Sequence, residues 1–312
     1  MKSIKEFDTS RRIHLHNFLN KISFSVTRTK EDLENAAALV HREYAKKGYI
    51  KKSNSKLRLA IYNAHPDTTT FIAKAGNEVI ATTTVIPDSP LGLPMDEVYR
   101  DELDQMRKGN KKLCEISMLA SDTELFNDGI SMMLNSKKLF LVFSLFKHIF
   151  DYTREYLKPD YICLTINPRH KLTYDFLRCK DLGGVKAYRG VNEAPAVAKY
   201  VDLNSIEKEY KTEDMKGLYK MFFQRKTDFT KFANKYTYSF RDLKYFFVEK
   251  TDILKSASPS KRDYLAKCYP FYDFSELLSN NSSNKSHPES SVHWWETEGK
   301  VKTMRPCLSF QH

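Results

Sequence analysis

The segment Leu113-Cys-Glu-Ile-Ser-Met-Leu-Ala120 decides the fold, because it has the composition of an interior β-strand and yet carries a carboxylate near its centre. Side chains alternate across a strand, so two faces are expected. One is predicted to hold Leu113, Glu115, Ser117 and Leu119, and the other Cys114, Ile116, Met118 and Ala120. Glu115 therefore either points to water from an edge strand or has a chemical role among apolar neighbours.

Strands and helices alternate along the chain on either side of this segment. Before it, we expect a strand at Ile22–Val26, a helix from Thr29 to about Lys46, a hairpin of strands over 70–75 and 79–86, a loop over 87–94 and a helix over 95–108. After it, we expect a helix over 137–157, a strand at Tyr161–Ile166, a helix that begins at Asn167-Pro168, and strands over 185–188 and 196–203. This order predicts an α/β (α+β) fold in which a mixed sheet is flanked by helices.

Local signals support these assignments. The T-x-x-D pattern that begins at Thr29 is typical of a helix N-terminus. Gly76-Asn77 between two apolar runs favours a tight antiparallel hairpin. Asn167 followed by Pro168 combines an N-cap residue with a proline at the first helical position.

Composition divides the chain into four segments. A basic segment covers residues 1–21, and the α/β domain covers 22–205. Residues 206–277 are rich in Lys, Phe and Tyr and predict a helical extension that packs on the core or forms a small appendage. Residues 278–312 have the low complexity of a flexible linker and tail.

The overall composition indicates a globular cytoplasmic protein. A chain of 312 residues with 41% hydrophobic content can bury a full core. Its longest apolar run is far short of the roughly 20 residues that a membrane-spanning helix needs, and its N-terminus lacks the apolar stretch of a secretory signal. The five cysteines and nine histidines have no metal-ligand spacing, so no metal is expected.

A net charge of +12 predicts an anionic partner. The basic residues are scattered in short doublets, and no nucleic-acid-binding motif accompanies them, so no nucleic acid is expected. An acidic protein surface fits this diffuse charge better. Peripheral contact with an anionic membrane stays open as an alternative, because residues 11–21 have the pattern of a short basic amphipathic helix.

Three segments carry a resemblance to a known family. They are Ala81-Thr-Thr-Thr-Val-Ile-Pro-Asp-Ser-Pro-Leu-Gly-Leu-Pro94, Cys114-Glu-Ile-Ser-Met-Leu-Ala120, and Asn167-Pro-Arg-His170 with Val191-Asn-Glu-Ala-Pro-Ala-Val197. With the order of elements, they resemble the bacterial long-chain N-acyl amino acid synthases, relatives of the acyl-homoserine lactone synthases with a Gcn5-related N-acyltransferase fold. The resemblance covers about residues 20–205. It implies a mixed, mainly antiparallel sheet and transfer of a fatty acyl group from acyl carrier protein to the amine of an amino acid.

The resemblance also implies site residues. Aminolysis of a thioester needs a base, a site for the oxyanion and a proton for the leaving thiolate. Glu115 is the candidate base, and Tyr174 is the candidate donor to the thiolate, with ordinary packing as its alternative. The candidates for binding the acyl thioester are Ser117, the backbone at Met118, Leu119 and Ala120, and Asn167. Asp88 and His170 are the candidates for contact with the amine substrate, although an Asp in a P-D-S-P turn more often caps its own backbone.

The donor is expected to be carrier-bound. Users of free coenzyme A in this fold carry an R/Q-x-x-G-x-G/A loop that cradles the pyrophosphate, whereas the corresponding residues here, 121–136, hold one glycine and several acids. No cofactor is expected to be resident; the donor substrate is the acyl-phosphopantetheine of acyl carrier protein. Candidate residues for docking the carrier are Lys137, Lys138, Arg169 and Lys171. The alternatives are an acyl-coenzyme A-dependent enzyme, an acyl-homoserine lactone synthase, and a binding protein that has lost catalysis.

Overall fold

Seven strands form one sheet with the order β1-β2-β3-β4-β5-β7-β6. The computed structural model describes residues 21–124 and 131–279, with the side chains of 131–138 left out. The strands are β1 (Ile22–Val26), β2 (Thr69–Ala75), β3 (Glu78–Pro87), β4 (Leu113–Ser121), β5 (Tyr161–Ile166), β6 (Lys180–Tyr188) and β7 (Ala194–Asp202). Neighbouring strands are antiparallel except β4 and β5, which are parallel.

The larger helices lie between the strands, and shorter ones follow the sheet. The helices of the sheet region are α1 (Lys30–Lys46), α2 (Asp96–Arg107), α3 (Ser131–Tyr152), which continues as a π-turn over Thr153–Leu157, and α4 (Lys171–Phe176). The later helices are α5 (Ile206–Tyr210), α6 (Lys216–Tyr219), α7 (Phe240–Lys244), α8 (Ile253–Ser256), α9 (Pro259–Cys268) and α10 (Phe274–Leu278). The predicted order of elements and the fold class, including a mostly helical C-terminal part, are confirmed. In the described ranges, none of these helices has the length and apolarity needed to cross a membrane.

The capping signals read from the sequence act as expected. The Thr29 side chain accepts a hydrogen bond from the backbone N–H of Asp32 at 3.1 Å, which begins α1. The Asn167 side chain accepts from the N–H of Arg169 at 3.1 Å, and a 3-10 turn at Pro168–His170 leads into α4. Gly76 has a φ of +62°, as the tight hairpin between β2 and β3 requires.

A β-bulge in β4 changes the predicted assignment of side chains to faces. Ser117 pairs with Thr84 and Ala120 pairs with Thr82, so two residues of β4 oppose Thr83 alone. Met118 occupies the left-handed region with a φ of +56°. The extra residue reverses the alternation beyond Ser117, because one added residue moves every later side chain to the opposite face.

The packing of β4 side chains shows where their alternation between the two faces of the sheet reverses. Met118 and Ala120 pack with Ala36, Leu39 and Val40 of α1, whereas Leu119 packs with Cys114 and Ile116 on the α3 side. The predicted faces are therefore wrong for Met118, Leu119 and Ala120. A regular alternation of side chains cannot anticipate a bulge, since the residue types of the strand are compatible with either arrangement.

The parallel pairing of β4 with β5 is short. It runs from Leu113 opposite Tyr161 to Ile116 opposite Leu164 and then stops, although both strands continue. Beyond this point β5 pairs with β7 only, and β4 pairs with β3 only, among the described residues. The two central strands thus separate and leave a cleft in the middle of the sheet, next to the bulge.

Helices cover both faces of the sheet. On one face, α1 and α2 pack against β2, β3, β4 and β6. On the other, α3 packs against β1, β2 and β3 through Leu141, Leu145 and Ile149. Glu115 lies on the α1 and α2 face of β4, while its neighbour Ile116 lies on the α3 face. β4 is an interior strand, so the edge-strand alternative for Glu115 is wrong.

The C-terminal extension packs against α1 on one face of the sheet and against α3 on the other. Leu243, Phe246 and Phe247 form a buried cluster with Leu33 and Ala37 of α1. Phe222 and Phe232 join the core beneath α3. Because the extension completes the burial of α1 and α3, we expect it to unfold together with the sheet.

Phe247→Ala tests this coupling. Phe247 is fully buried, and loss of a buried phenylalanine side chain costs about 3–5 kcal/mol. We expect urea unfolding, followed by circular dichroism and tyrosine fluorescence, to remain one transition that is shifted to lower urea concentration. Phe271→Ala, at a side chain that is 93% exposed, is the matched control and should shift the midpoint little. Two separate transitions would contradict the coupling.

Candidate active site

Glu115 is fully buried near the centre of the sheet. Its Oε2 accepts a hydrogen bond from the backbone N–H of Met95 at 2.8 Å. Its Oε1 has no hydrogen-bond partner, although it is shielded from solvent. One carboxylate oxygen is therefore fixed by the loop before α2, and the other is available to a substrate proton.

The surroundings of Glu115 favour its protonated form. Burial raises its pKa to about 8, and the negative charges of Asp96 and Asp88 act in the same direction. The Met95 N–H and the nearby Ser117 hydroxyl partly offset this rise. A carboxyl group with a pKa near 8 can take a proton from an ammonium group and return it close to neutral pH.

The loop that carries Met95 is held by one arginine. Arg107 at the end of α2 contacts Asp88 through Nε at 2.6 Å and Nη2 at 3.0 Å. The same guanidinium contacts both oxygens of Asp96 at 2.8 Å. Gly92 has a φ of +76°, and a Cβ there would lie 2.9 Å from Asp96 Oδ2, so the turn requires glycine. This network presents the Met95 N–H to Glu115.

Three tyrosines lie close enough to Glu115 to be affected by its charge. Burial, and then the charge of Glu115, raises the pKa of Tyr62 to about 12. The same two causes raise the pKa of Tyr188. Burial raises the pKa of Tyr44 to about 12, with a smaller contribution from Glu115. These phenols stay protonated and surround the carboxylate with groups that can donate hydrogen bonds.

A polar cavity opens on the Glu115 face of the sheet. It has a volume of about 710 Å³, and its lining includes Tyr62, Asp88, Glu97 and Arg100. The loop before α2 is shared by both, because Asp96 lines the cavity while the backbone N–H of its neighbour Met95 donates to Glu115. The cavity is large enough for a polar small molecule.

An apolar cavity lies on the opposite face, where β4 and β5 separate. It encloses about 60 Å³, and its lining includes Ile116 of β4, Leu164 of β5, Tyr174 of α4, Phe150 of α3 and Phe222 of the extension. The Tyr174 ring packs against Phe146 with centroids 5.9 Å apart. Burial raises the pKa of Tyr174, so its phenol keeps its proton. The apolar cavity is thus lined by Ile116, the neighbour of Glu115 in β4, whereas the polar cavity is lined by the loop and helix that follow β3.

Comparison with known families agrees with this arrangement. The family model described as N-acyl amino acid synthase FeeM matches residues 35–202, more than half of the chain. The chain belongs to the FeeM family of N-acyl amino acid synthases. It is therefore an acyltransferase, and the predicted family and its N-acyltransferase fold are confirmed.

Solved structures give further comparisons. FeeM, an N-acyl amino acid synthase from uncultured soil microbes, is 29% identical, with 60% of this chain and 93% of FeeM covered and a TM-score of 0.52. The acyl-homoserine lactone synthase LasI is 12% identical over 59% of this chain and 89% of its own, with a TM-score of 0.43. The coenzyme A-dependent acyl-homoserine lactone synthase BjaI is 13% identical over 64% and 90%, with a TM-score of 0.44. A comparison with curated protein sequences finds no significant match.

The predicted thioester-binding residues lie at the cleft. Met118 and Leu119 form the bulge, and β4 has no strand partner on the β5 side beyond Ile116 within the described residues. Ser117 shares the Glu115 side of this edge, and its carbonyl accepts from Thr83 at 3.1 Å. Asn167 ends β5 across the cleft, where its Nδ2 donates to the Tyr49 hydroxyl at 3.3 Å.

The remaining predicted residues have mixed surroundings. Asp88 forms an ion pair with Arg107 at 2.6 Å and lines the polar cavity. His170 and Arg169 are exposed at the start of α4, on the cleft side of β5. Lys171 pairs with Asp175 at 2.9 Å and with Asp181 at 3.1 Å. The side chains of Lys137 and Lys138 lie outside the described residues. Among the described residues, no group of three or more His, Cys, Asp or Glu side chains could hold a metal ion.

Several residues around Glu115 were not predicted. The tyrosines at 44, 62 and 188 and the arginines at 58 and 107 come from four separate parts of the chain. The only signal that pointed to them was the Val191-Asn-Glu-Ala-Pro-Ala-Val197 segment, which follows the turn where Arg58 Nη2 donates to the Gly190 carbonyl at 2.9 Å. Contacts between distant segments have no local pattern, so spacing alone could not reveal them.

Glu115→Gln should stabilise the fold increasingly as the pH rises. Folded Glu115 has a pKa of about 8 against an ordinary value of 4.5, so between these values the unfolded chain loses a proton that the folded chain keeps. Wild-type stability therefore falls across this interval, and glutamine removes that fall, which is on the order of 3 kcal/mol. The measurement is urea unfolding of both proteins at pH 5, 6.5 and 8. A difference between the two that does not change with pH would contradict the burial argument.

Proposed function

We propose that this enzyme transfers a medium- or long-chain acyl group from acyl carrier protein to the α-amine of an amino acid, by direct aminolysis of the thioester. The observation that carries the proposal is Glu115: a buried carboxyl group with a raised pKa and one unpartnered oxygen, beside a cleft in the sheet. An apolar cavity lies at the cleft, and a polar cavity lies beside the loop that holds Glu115. This suits a reaction that joins a polar amine to a fatty acyl chain.

The first step is the release of the amine. An amino acid enters with its amine as an ammonium group, which cannot attack a carbonyl. Glu115 Oε1 takes one proton from it, directly or through water, and the neutral nitrogen then attacks the thioester carbon. The Met95 N–H holds Oε2, so the carboxyl group is oriented while its free oxygen accepts the proton.

The second step places charge on the thioester oxygen. The proposed donors to this oxyanion are backbone N–H groups at the bulge, from Met118 to Ala120. This edge of β4 is available because its pairing with β5 ends at Ile116. Collapse of the intermediate breaks the carbon–sulfur bond. The attacking nitrogen loses its second proton to solvent, and Glu115 returns the first proton to solvent. The thiolate takes a proton from the Tyr174 phenol, which then regains one from solvent. The products are an N-acyl amino acid and the free thiol of the carrier.

Charge and exposed apolar side chains favour a carrier protein as donor. The chain has a net charge of +12, and carrier proteins are acidic. At the mouth of the cleft, α4 exposes Leu172 by 83% and Phe176 by 53% beside the basic Arg169 and Lys171. Exposed apolar residues next to positive charge suit an acidic protein with an apolar contact patch.

The apolar cavity is the proposed entrance of the acyl site. Its volume of about 60 Å³ is well below the roughly 300 Å³ of a drug-sized ligand pocket, so a long chain requires side chains around it to move apart. One wall is the sheet, and the others come from α3, α4 and the extension, which can separate from one another without breaking the sheet.

Glu115→Gln should lower amide formation by about 100- to 10,000-fold, the usual contribution of a general base. The wild-type kcat/KM should rise with pH up to about 8, where Glu115 becomes ionised, and the variant should lose this dependence. Glu213→Gln, at a side chain that is 95% exposed, is the matched control. An unchanged rate in Glu115→Gln would remove Glu115 from the mechanism.

The donor and acceptor are tested together. Purified enzyme is given either acyl carrier protein or acyl-coenzyme A with a panel of amino acids and S-adenosylmethionine, and the products are read by mass spectrometry. We expect N-acyl amino acids from the carrier-bound donor. Turnover with coenzyme A alone would overturn the carrier assignment, a lactone would favour a signal synthase, and no amide from any pair would overturn the proposed function.

Phe222→Ala should lengthen the preferred acyl chain by about two carbons, because each extra methylene that a pocket accommodates is worth about 1–3 kcal/mol. Phe222 lines the apolar cavity, whereas its neighbour Phe223 packs on Phe150 without lining it. Phe223→Ala therefore controls for lost packing. The measurement is competition among carrier-bound chains of different length; identical product profiles for wild type and Phe222→Ala would exclude this cavity as the acyl site.

A further inference from the structure

Two buried atoms of opposite charge lack a partner on the same side of the sheet. Among the described residues, the buried side-chain polar atoms without a hydrogen bond include Glu115 Oε1 and Arg58 Nε. The two other such atoms belong to Glu102 and Tyr236. Glu102 already pairs through its second oxygen with Lys186 at 2.6 Å, and Tyr236 is neutral. Glu115 and Arg58 therefore stand out, the first with an unsatisfied acceptor and the second with an unsatisfied donor.

Arg58 is held in place by backbone alone. Its own N–H donates to the Ala37 carbonyl of α1 at 3.0 Å, and its Nη2 donates to the Gly190 carbonyl at 2.9 Å. In the part of the chain that the structure describes, no carboxylate pairs with it. A partly buried guanidinium without a counter-charge is costly, so a ligand anion would stabilise it.

The contact with Gly190 places Arg58 near the polar cavity, because a Cβ at Gly190 would lie 3.2 Å from Oε2 of Glu97, which lines that cavity. Burial raises the pKa of Tyr44 and of Tyr188, and in both the positive charge of Arg58 opposes the rise while the negative charge of Glu115 adds to it. Arg58 and Glu115 nevertheless form no ion pair with each other. Arg58 thus offers an unpartnered N–H donor and Glu115 an unpartnered acceptor, the two groups that the opposite ends of a zwitterion require.

We propose that Arg58 binds the α-carboxylate of the amino acid acceptor and thereby directs its amine to Glu115. The inference rests on the proposed function. An α-amino acid carries both charges on one carbon, in the polarity that these two side chains complement. The Nε–H and the second N–H of Nη2 form one edge of the guanidinium, which can bind both carboxylate oxygens.

This assignment makes the acceptor's carboxylate a specificity determinant. A carboxamide or a decarboxylated amine lacks the anion, so it leaves Arg58 unpaired when it binds and should be a poor substrate. The side chain of the acceptor is not constrained by Arg58. Preference among amino acids then depends on other walls of the polar cavity, such as Tyr62 and Glu97.

The test compares the best amino acid acceptor with its carboxamide, using acyl carrier protein as donor. For wild type, we expect kcat/KM to favour the amino acid by about 100-fold. Arg58→Gln should raise KM for the amino acid by at least about 30-fold, leave kcat within about threefold, and bring the preference near one. Arg58→Lys, which keeps the charge but loses the two-pronged contact, should raise KM by about tenfold. Arg241→Gln removes an exposed arginine and should change nothing.

The outcomes separate this inference from the proposed function. If wild type acylates the amino acid and its carboxamide equally, or if Arg58→Gln keeps the wild-type preference, the role of Arg58 is overturned and the acyltransferase assignment stands. If wild type acylates no amine from any donor, the proposed function falls first. Circular dichroism and melting curves check each variant; should Arg58→Gln not fold, an unchanged KM in Arg58→Lys would overturn the inference.

Discussion

The early end of pairing between β4 and β5 is the constraint on which the site depends. The two strands share hydrogen bonds only as far as Ile116 and Leu164, and the bulge at Met118 turns β4 away at the same level. A continuous sheet would separate its two faces completely. Here the cleft interrupts that separation, so that Glu115 on one face of β4 and the apolar cavity on the other lie next to a gap in the sheet. The left-handed backbone at a buried methionine costs on the order of 1–3 kcal/mol, which the core packing of α1 against Met118 offsets.

The electrostatic surroundings of Glu115 determine the pH at which its carboxyl group ionises. Glu115 is surrounded by groups that oppose its ionisation, namely the apolar core and the two aspartates gathered by Arg107. The arginine neutralises much of their charge while it shapes the loop that donates to Glu115. Burial is the main cause of the raised pKa of Glu115, and the loop that Arg107 holds brings both the Met95 donor and the two aspartates to it. The phenols of the surrounding tyrosines add neutral donors without adding charge.

Much of the fold could be predicted from the sequence because its signals are local. The caps at Thr29 and Asn167 and the glycine hairpin at Gly76 each depend on a few consecutive residues. Glu115 could be singled out for the same reason, as an acid within an apolar strand. The bulge at Met118 could not, since nothing in Ser-Met-Leu distinguishes it from a regular strand. Arg58 was missed because its significance arises from two segments more than a hundred residues apart, which meet only in the folded chain. A helix was correctly predicted over 137–157, but its predicted start was too late, because α3 begins at Ser131.

Phe222 belongs to the extension, which lies outside the 35–202 region that defines the family. The reaction centre and the far wall of the apolar cavity are therefore encoded in different stretches of the chain. Changes in the extension can reshape that wall without touching the base, the cleft or the arginine. Such a division makes the shape of the cavity separable from the catalytic domain. Exchange of residues 206–279 between relatives would thus change the cavity wall while the 35–202 region is kept.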